Sequence, residues 1–232
     1  MKTFLTTGNL PVRLVRLFLG LFAYGFAIAL MIRANLGASP WDVFGQGLAH
    51  STGLSFGICT ILISAGVLLL WIPLRQWPGF GTLANALLIG IFADLSLAML
   101  HQPQALWLQA LMFLAGLVLL AFATALYVGA RLGPGPRDGL MTGLVRRTGK
   151  PVWIIRTGIE VVVVAIGFLL GGVAGLGTLV FALGIGPVTQ LAFRLLSVDL
   201  HAVRRPVAAL SGRAGAAPVG RSASAAAGKL KS

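Results

Sequence analysis

Acidic side chains are nearly missing from this chain: five Asp and Glu stand against 18 Lys and Arg in 232 residues. Cysteine and histidine are almost as scarce, with Cys59, His50, His101 and His201 the whole supply. A lone cysteine makes no intramolecular disulfide and no cysteine-based metal site by itself, so Cys59 reads as a small packing residue. The histidines fall in loops or in the carboxyl-terminal tail, and neither metal-ligand spacing nor a nucleophile with a neighbouring base appears. Enzyme, metal and cofactor signatures are therefore all lacking. Charge of any kind is low, at 10% of residues, against 57% hydrophobic residues and a mean hydropathy of +0.94. No soluble domain hides that much apolar surface in one core, which points to an integral membrane protein in contact with the lipid bilayer. The net charge of +13 does not imply a nucleic-acid partner. Its bases lie between apolar runs and in the tail, without the contiguous basic face that phosphate recognition requires.

What is present is a series of apolar segments long enough to span. The first, 17–32, reaches spanning length with Leu14 and Val15, at ~1.5 Å per residue across a ~30 Å hydrocarbon core. Further spans are expected at about 56–73, 82–100, 105–128, 152–170 and 178–196. Within the first, Ala27-Ile28-Ala29 has the small-x-small look of a signal-peptidase site. Gly20, Phe26, Ala27, Ala29 and Leu30 recur as Gly116, Phe122, Ala123, Ala125 and Leu126 inside a later span, which identifies the segment as a retained helix. The membrane domain covers 1–197. Residues 198–232 change abruptly to Ala, Gly, Ser, Pro, Arg and Lys, too polar to offset their ordering entropy, and are expected to form a basic disordered cytoplasmic tail.

The strongest signal is an internal duplication. Leu36-Gly37-Ala38-Ser39-Pro40-Trp41-Asp42 returns 96 positions later as Leu132-Gly133-Pro134-Gly135-Pro136-Arg137-Asp138. Sliding 14–98 along 110–194 without a gap matches roughly a third of positions, against on the order of one in ten for so biased a composition. The informative matches include Gly47/Gly143, Gly53/Gly149, Gly79/Gly175, Gly81/Gly177 and Thr82/Thr178. Each repeat holds three spans, an odd number, so the second enters the membrane from the opposite side. The expected fold is an all-α membrane protein of about six transmembrane helices, arranged as two inverted-topology three-helix repeats. Each repeat carries a short segment after its first helix, either on the surface or re-entrant. Cytoplasmic enrichment of Lys and Arg sets the orientation. With both termini inside, all 18 bases except Arg33 fall on the cytoplasmic face.

Inverted repeats are common in secondary transporters, with the substrate between the halves. In the motif, Ser39 suits an N-cap, Pro40 the first helical position and Asp42 the third, where a carboxylate meets free N–H groups. Asp42 and Asp138 either cap short helices or line the two mouths of a cation or proton pathway. Glu160 falls near the middle of a span, where a charge costs ~2.5 to 3.5 kcal/mol on insertion scales. Arg156 stands one turn before it, and the two either neutralise each other or divide proton coupling and anion binding between them. Asp94, with Asn85 two to three turns earlier, is either an interfacial acid or part of an intramembrane pathway. The candidate pathway residues are thus Glu160, Arg156, Asp42, Asp138, Asp94 and Asn85.

The run Arg33-Ala34-Asn35-Leu36-Gly37-Ala38-Ser39-Pro40-Trp41-Asp42, followed by Gly47-Leu48 and Thr52-Gly53-Leu54-Ser55-Phe56-Gly57, resembles the YczE/YyaS/YitT type of bacterial membrane protein. The resemblance covers most of residues 12–197 and implies a multi-pass protein of the bacterial inner membrane, with no catalytic or binding residue to carry over. The second motif departs in having Arg137 where the first has Trp41. The leading expectation is a small-molecule or ion transporter, with homodimerisation consistent with so few spans. The alternative is a non-transporting accessory or scaffold protein.

Overall fold

A computed structural model describes residues 9–196, and the expected basic tail lies outside the described residues. Eight helices follow one another: α1 (Leu10–Ala34), α2 (Pro40–Thr52), α3 (Phe56–Trp71), α4 (Phe80–Met99), α5 (Leu106–Gly129), α6 (Pro136–Thr148), α7 (Val152–Leu169) and α8 (Leu176–Leu195). Five of them, α1, α4, α5, α7 and α8, are long and apolar enough to cross a membrane. The 13-residue α2 is too short, and it meets α3 at a bend of 115°; taken as one broken span, this pair makes a sixth. Both 36–42 and 132–138 thus open short helices that start at a proline.

Helix α1 begins earlier than its apolar run, because Pro11 stabilises the first turn and two arginines are accommodated along it. Arg13 donates from Nε to the Ala130 carbonyl and from a terminal guanidinium nitrogen to that of Arg131, each at 2.9 Å. It thereby satisfies carbonyls that the end of α5 leaves open. Arg33 does the same at the other end of α1, donating to the Leu97 carbonyl in α4.

The main core is formed by α1, α4, α5 and α8, with Leu17, Leu21, Met31, Ile89, Phe113 and Phe181 among its buried members. Small residues set its closest approaches. A Cβ at Gly20 would run into the backbone of Ala123 and Tyr127, and a Cβ at Gly116 would meet Ala27 and Met31. Close backbone approach is a usual packing device where lipid removes the hydrophobic drive between helices. A second cluster joins α3 to α6 through Ile63, Val67, Trp71 and Leu140, with Trp41 and Phe44 of α2 against it. Trp71 is fully buried and its indole donates to the Pro136 carbonyl at 3.0 Å.

The loops before α2 and α6 are held by the starts of α8 and α4. The Gly177 amide donates to the Leu36 carbonyl at 2.7 Å, and the Gly81 amide donates to the Leu132 carbonyl at 2.8 Å. Thr178 accepts from the Ala38 amide at 3.3 Å, and Thr82 donates to the Pro134 carbonyl at 2.7 Å. Gly37 at φ 118° and Gly133 at φ 133° lie in the region that disfavours a side chain, and each is pressed against the opposing threonine.

Two stability outcomes follow. Gly133→Ala combines backbone strain with a collision against Thr82, whereas Gly149→Ala meets strain alone, since nothing lies within 4 Å of its Cβ position. Unfolding of the purified protein in detergent should show Gly133→Ala destabilised by about 2 kcal/mol or more, clearly beyond Gly149→Ala; equal losses would mean the Gly133 contact carries no weight. Trp71→Phe keeps most of the buried ring but leaves the Pro136 carbonyl without its donor, and should cost about 1 to 3 kcal/mol in the same assay.

Candidate functional site

The amino ends of α2 and α6 approach each other through Arg137, and the buried Ser39, Asp42 and Asn85 side chains lie around them. At α2, the Ser39 side chain accepts from the Asp42 amide at 3.3 Å while its hydroxyl donates to Asp42 Oδ2. This is the capping role that Ser-Pro-x-Asp spacing favours, with the carboxylate at the positive end of the helix dipole. Asp42 is 1% exposed. At α6 the cap is Gly135, which has no side chain to offer, and Asp138 instead accepts from the Tyr127 hydroxyl of α5 at 3.0 Å. The space beside Gly135 is walled by the Tyr127 hydroxyl, Asp138 Oδ2 and the Asn85 amide nitrogen from α4.

Arg137 links the two ends. A terminal nitrogen of its guanidinium lies 3.7 Å from Asp42 Oδ1, and the group sits over the Trp41 ring at 5.2 Å from the centroid. A separation of 3.7 Å is an ion pair without a hydrogen bond, and Asp42 Oδ1 has no hydrogen-bond donor. Tyr24 of α1 completes the group, its ring edge-to-face with Tyr127 at 6.0 Å between centroids.

Of the six residues singled out from sequence, three, Asp42, Asp138 and Asn85, are brought to this meeting point. Of the two readings of Asp42 and Asp138, helix caps or the two mouths of a pathway, the geometry at α2 has the form of the first. Each loop folds inward under the hold of the opposite half's last helix, so the segment carrying Asp138 reaches Asp42 through Arg137. Arg156 and Glu160 form the expected i,i+4 pair on α7, with Arg156 Nε donating to Glu160 Oε1 at 2.9 Å. Both remain partly exposed. Asp94 belongs elsewhere. It accepts from the Gly57 amide at 2.7 Å and from the Ser55 hydroxyl, closing the amino end of α3 from α4. Among the described residues, no group of three or more His, Cys, Asp and Glu gathers as a metal site.

Tyr24, Tyr127 and Trp71 were not singled out from sequence, although one signal was available. The chain has only two tyrosines, both inside apolar runs, where a hydroxyl requires a partner. The arrangement offers two helix amino ends, two carboxylates, one loosely paired guanidinium and an aromatic face, a set suited to holding a small charged group.

Comparison with known proteins places this chain in a family. No solved structure matches the chain. An uncharacterized protein of Haemophilus influenzae is 40% identical over 173 residues, covering 75% of this chain and 79% of that protein. The uncharacterized membrane protein YczE of Bacillus subtilis is 33% identical over 196 residues, covering 83% and 91% respectively. The uncharacterized protein YyaS of the same organism is 28% identical over 165 residues, covering 69% and 82%. Residues 11–194, which take in every helix but the first residue of α1 and the last of α8, match the profile of a family of unknown function, DUF6198, and this membrane protein belongs to that family.

Proposed function

We propose that the protein is a small-molecule or ion permease of the bacterial inner membrane, built as an inverted-topology pair of repeats with its site where α2 and α6 meet. The observation that carries this reading is the Asp42 to Arg137 contact across the chain's duplication, which joins the starts of two short helices inside the protein. In secondary transporters, broken helices whose amino ends point at the substrate lie at the interface between repeats. The exchange of contacts supports the inverted arrangement. Gly20 faces Ala123 as Gly116 faces Ala27, and Gly177 bonds Leu36 as Gly81 bonds Leu132, so each contact has a counterpart with the halves interchanged.

Orientation is argued from charge, with both termini cytoplasmic and Arg33 alone among the bases on the outer side. Helix α7 supports a homodimer, being the least buried of the five long spans while carrying the Arg156–Glu160 pair on a partly exposed flank. Catalysis forms no part of the proposed function. The competing reading is a scaffold that holds a partner at the membrane without moving a solute.

Full-length protein in liposomes should show proton- or sodium-driven uptake of at least one solute from a broad panel. Asp42→Asn and Asp138→Asn should each lower that uptake by about tenfold or more. Absence of flux throughout the panel, with cellular function intact in the combined Asp42→Asn, Asp138→Asn, Glu160→Gln variant, would favour the scaffold. The orientation has a separate measurement. In a Cys59→Ala background, cysteine at His101 should react with a membrane-impermeant thiol reagent on intact spheroplasts, and cysteine at Lys150 only after permeabilisation.

A further inference from the structure

An open cavity of about 600 Å³ lies between α3 and α7, and its wall is almost wholly apolar. Ile63 and Val67 of α3 line one side, Ile159 and Val163 of α7 the other, and Trp41 and Phe44 of α2 form the floor. Trp41 is also the ring on which Arg137 rests. The apolar cavity and the charged meeting point therefore share one side chain.

The charges at that meeting point are unequal. Asp42 and Asp138 supply two carboxylates, and Arg137 is the guanidinium in ion-pair reach of Asp42. Arg156, on α7, is engaged by Glu160 at 2.9 Å. Asp42 is buried to 1% exposure, with Oδ1 accepting no hydrogen bond, while the Arg137 side chain is 21% exposed and stands 3.7 Å away. Arg137 is the member of this pair with room to withdraw. The place it occupies, between a carboxylate and the face of a tryptophan, has the chemistry that recognises organic cations.

Building on the permease reading, we propose that this is a binding site for lipophilic organic cations, in which Arg137 is a tethered counter-ion that the incoming cation displaces from Asp42 and Trp41. The apolar body of the ligand lies in the α3–α7 cavity and its charge rests on the Trp41 ring against Asp42. An anionic amphiphile is the opposite case, since it would need Arg137 as its partner and would gain nothing from Asp42.

The sign of the Arg137 effect separates the two. Full-length protein in nanodiscs is titrated with tetraphenylphosphonium and, in parallel, with oleate, each variant first being shown monodisperse and helical. Tetraphenylphosphonium should bind the wild type, and Arg137→Ala and Arg137→Gln should both tighten it by about tenfold or more, because a competitor has been removed. Asp42→Asn and Trp41→Ala should weaken it by a similar factor; the second of these keeps the test valid if loss of the α2 acid prevents folding. Unchanged or weaker cation binding in the folded Arg137 variants overturns the proposal, as does a failure of tetraphenylphosphonium to bind at all. Oleate binding that falls with Arg137→Gln while the cation is indifferent assigns the site to anions instead. The expected binding pattern without flux in liposomes sinks the permease reading and leaves the cation site standing. Flux of another solute that is insensitive to tetraphenylphosphonium does the reverse.

Discussion

The structure depends on the hold that each half of the chain keeps on the other's loop. Irregular backbone inside a bilayer has no water to bond, and it persists only where protein supplies the missing partners. Leu36 and Leu132 are the points of greatest need, because they lie in the loops just past the ends of α1 and α5, where the helical ladder no longer pairs the backbone. The amides of Gly177 and Gly81 meet that need, and Thr178 and Thr82 add side-chain bonds at the same places. Glycine is required on both sides of the contact. Gly37 and Gly133 adopt positive φ, while Gly81 and Gly177 let a helix start touch the opposing carbonyl. Without these two clasps α2 and α6 would have no reason to begin inside the protein.

Once they begin there, electrostatics follows from geometry. Two converging helix amino ends concentrate partial positive charge, and an acid at the third position of each answers it. The two ends are satisfied by different means. Asp42 has its own Ser39, whereas Asp138, preceded by Gly135, draws on Tyr127 from another helix. Tyr127 in turn packs against Tyr24, so the α6 acid is braced by the α1–α5 core, and the α2 acid by its own turn. Trp71 fastens the same α6 end to α3.

Much of the helical layout was legible in the sequence because hydrocarbon thickness sets a length that apolar runs must reach. The run at 152–170 became α7 at Val152–Leu169, and that at 178–196 became α8 at Leu176–Leu195. Helix α1 was underestimated, since hydropathy does not register that Arg13 and Arg16 ride on a helix already started by Pro11. Local chemistry was legible too: the Ser39 cap and the Arg156–Glu160 pair follow from spacing alone. Long-range partners were not. Nothing in the residues around Asp94 names Ser55 and Gly57 as its partners, and nothing near Asp42 points to Arg137, because a motif records its own turn and not what crosses it. Counting spans fixes where each loop enters but not how far it reaches, so it left open whether Asp42 and Asp138 cap short helices or line two mouths.

The departure of the second motif from the first has a physical reason in this contact. Positions 41 and 137 correspond in the duplication, and in the folded chain they touch one another. Two arginines there would place like charges together in a poorly hydrated space, and two tryptophans would leave Asp42 without a counter-charge. One tryptophan and one arginine give a cation–π contact and supply Asp42 with its ion pair at the same time. The position at which the copies differ is therefore one where the fold makes them meet, and identity at that point would be less stable than difference. The same reasoning explains why Gly37 and Gly133, each facing a threonine and never the other, remain alike.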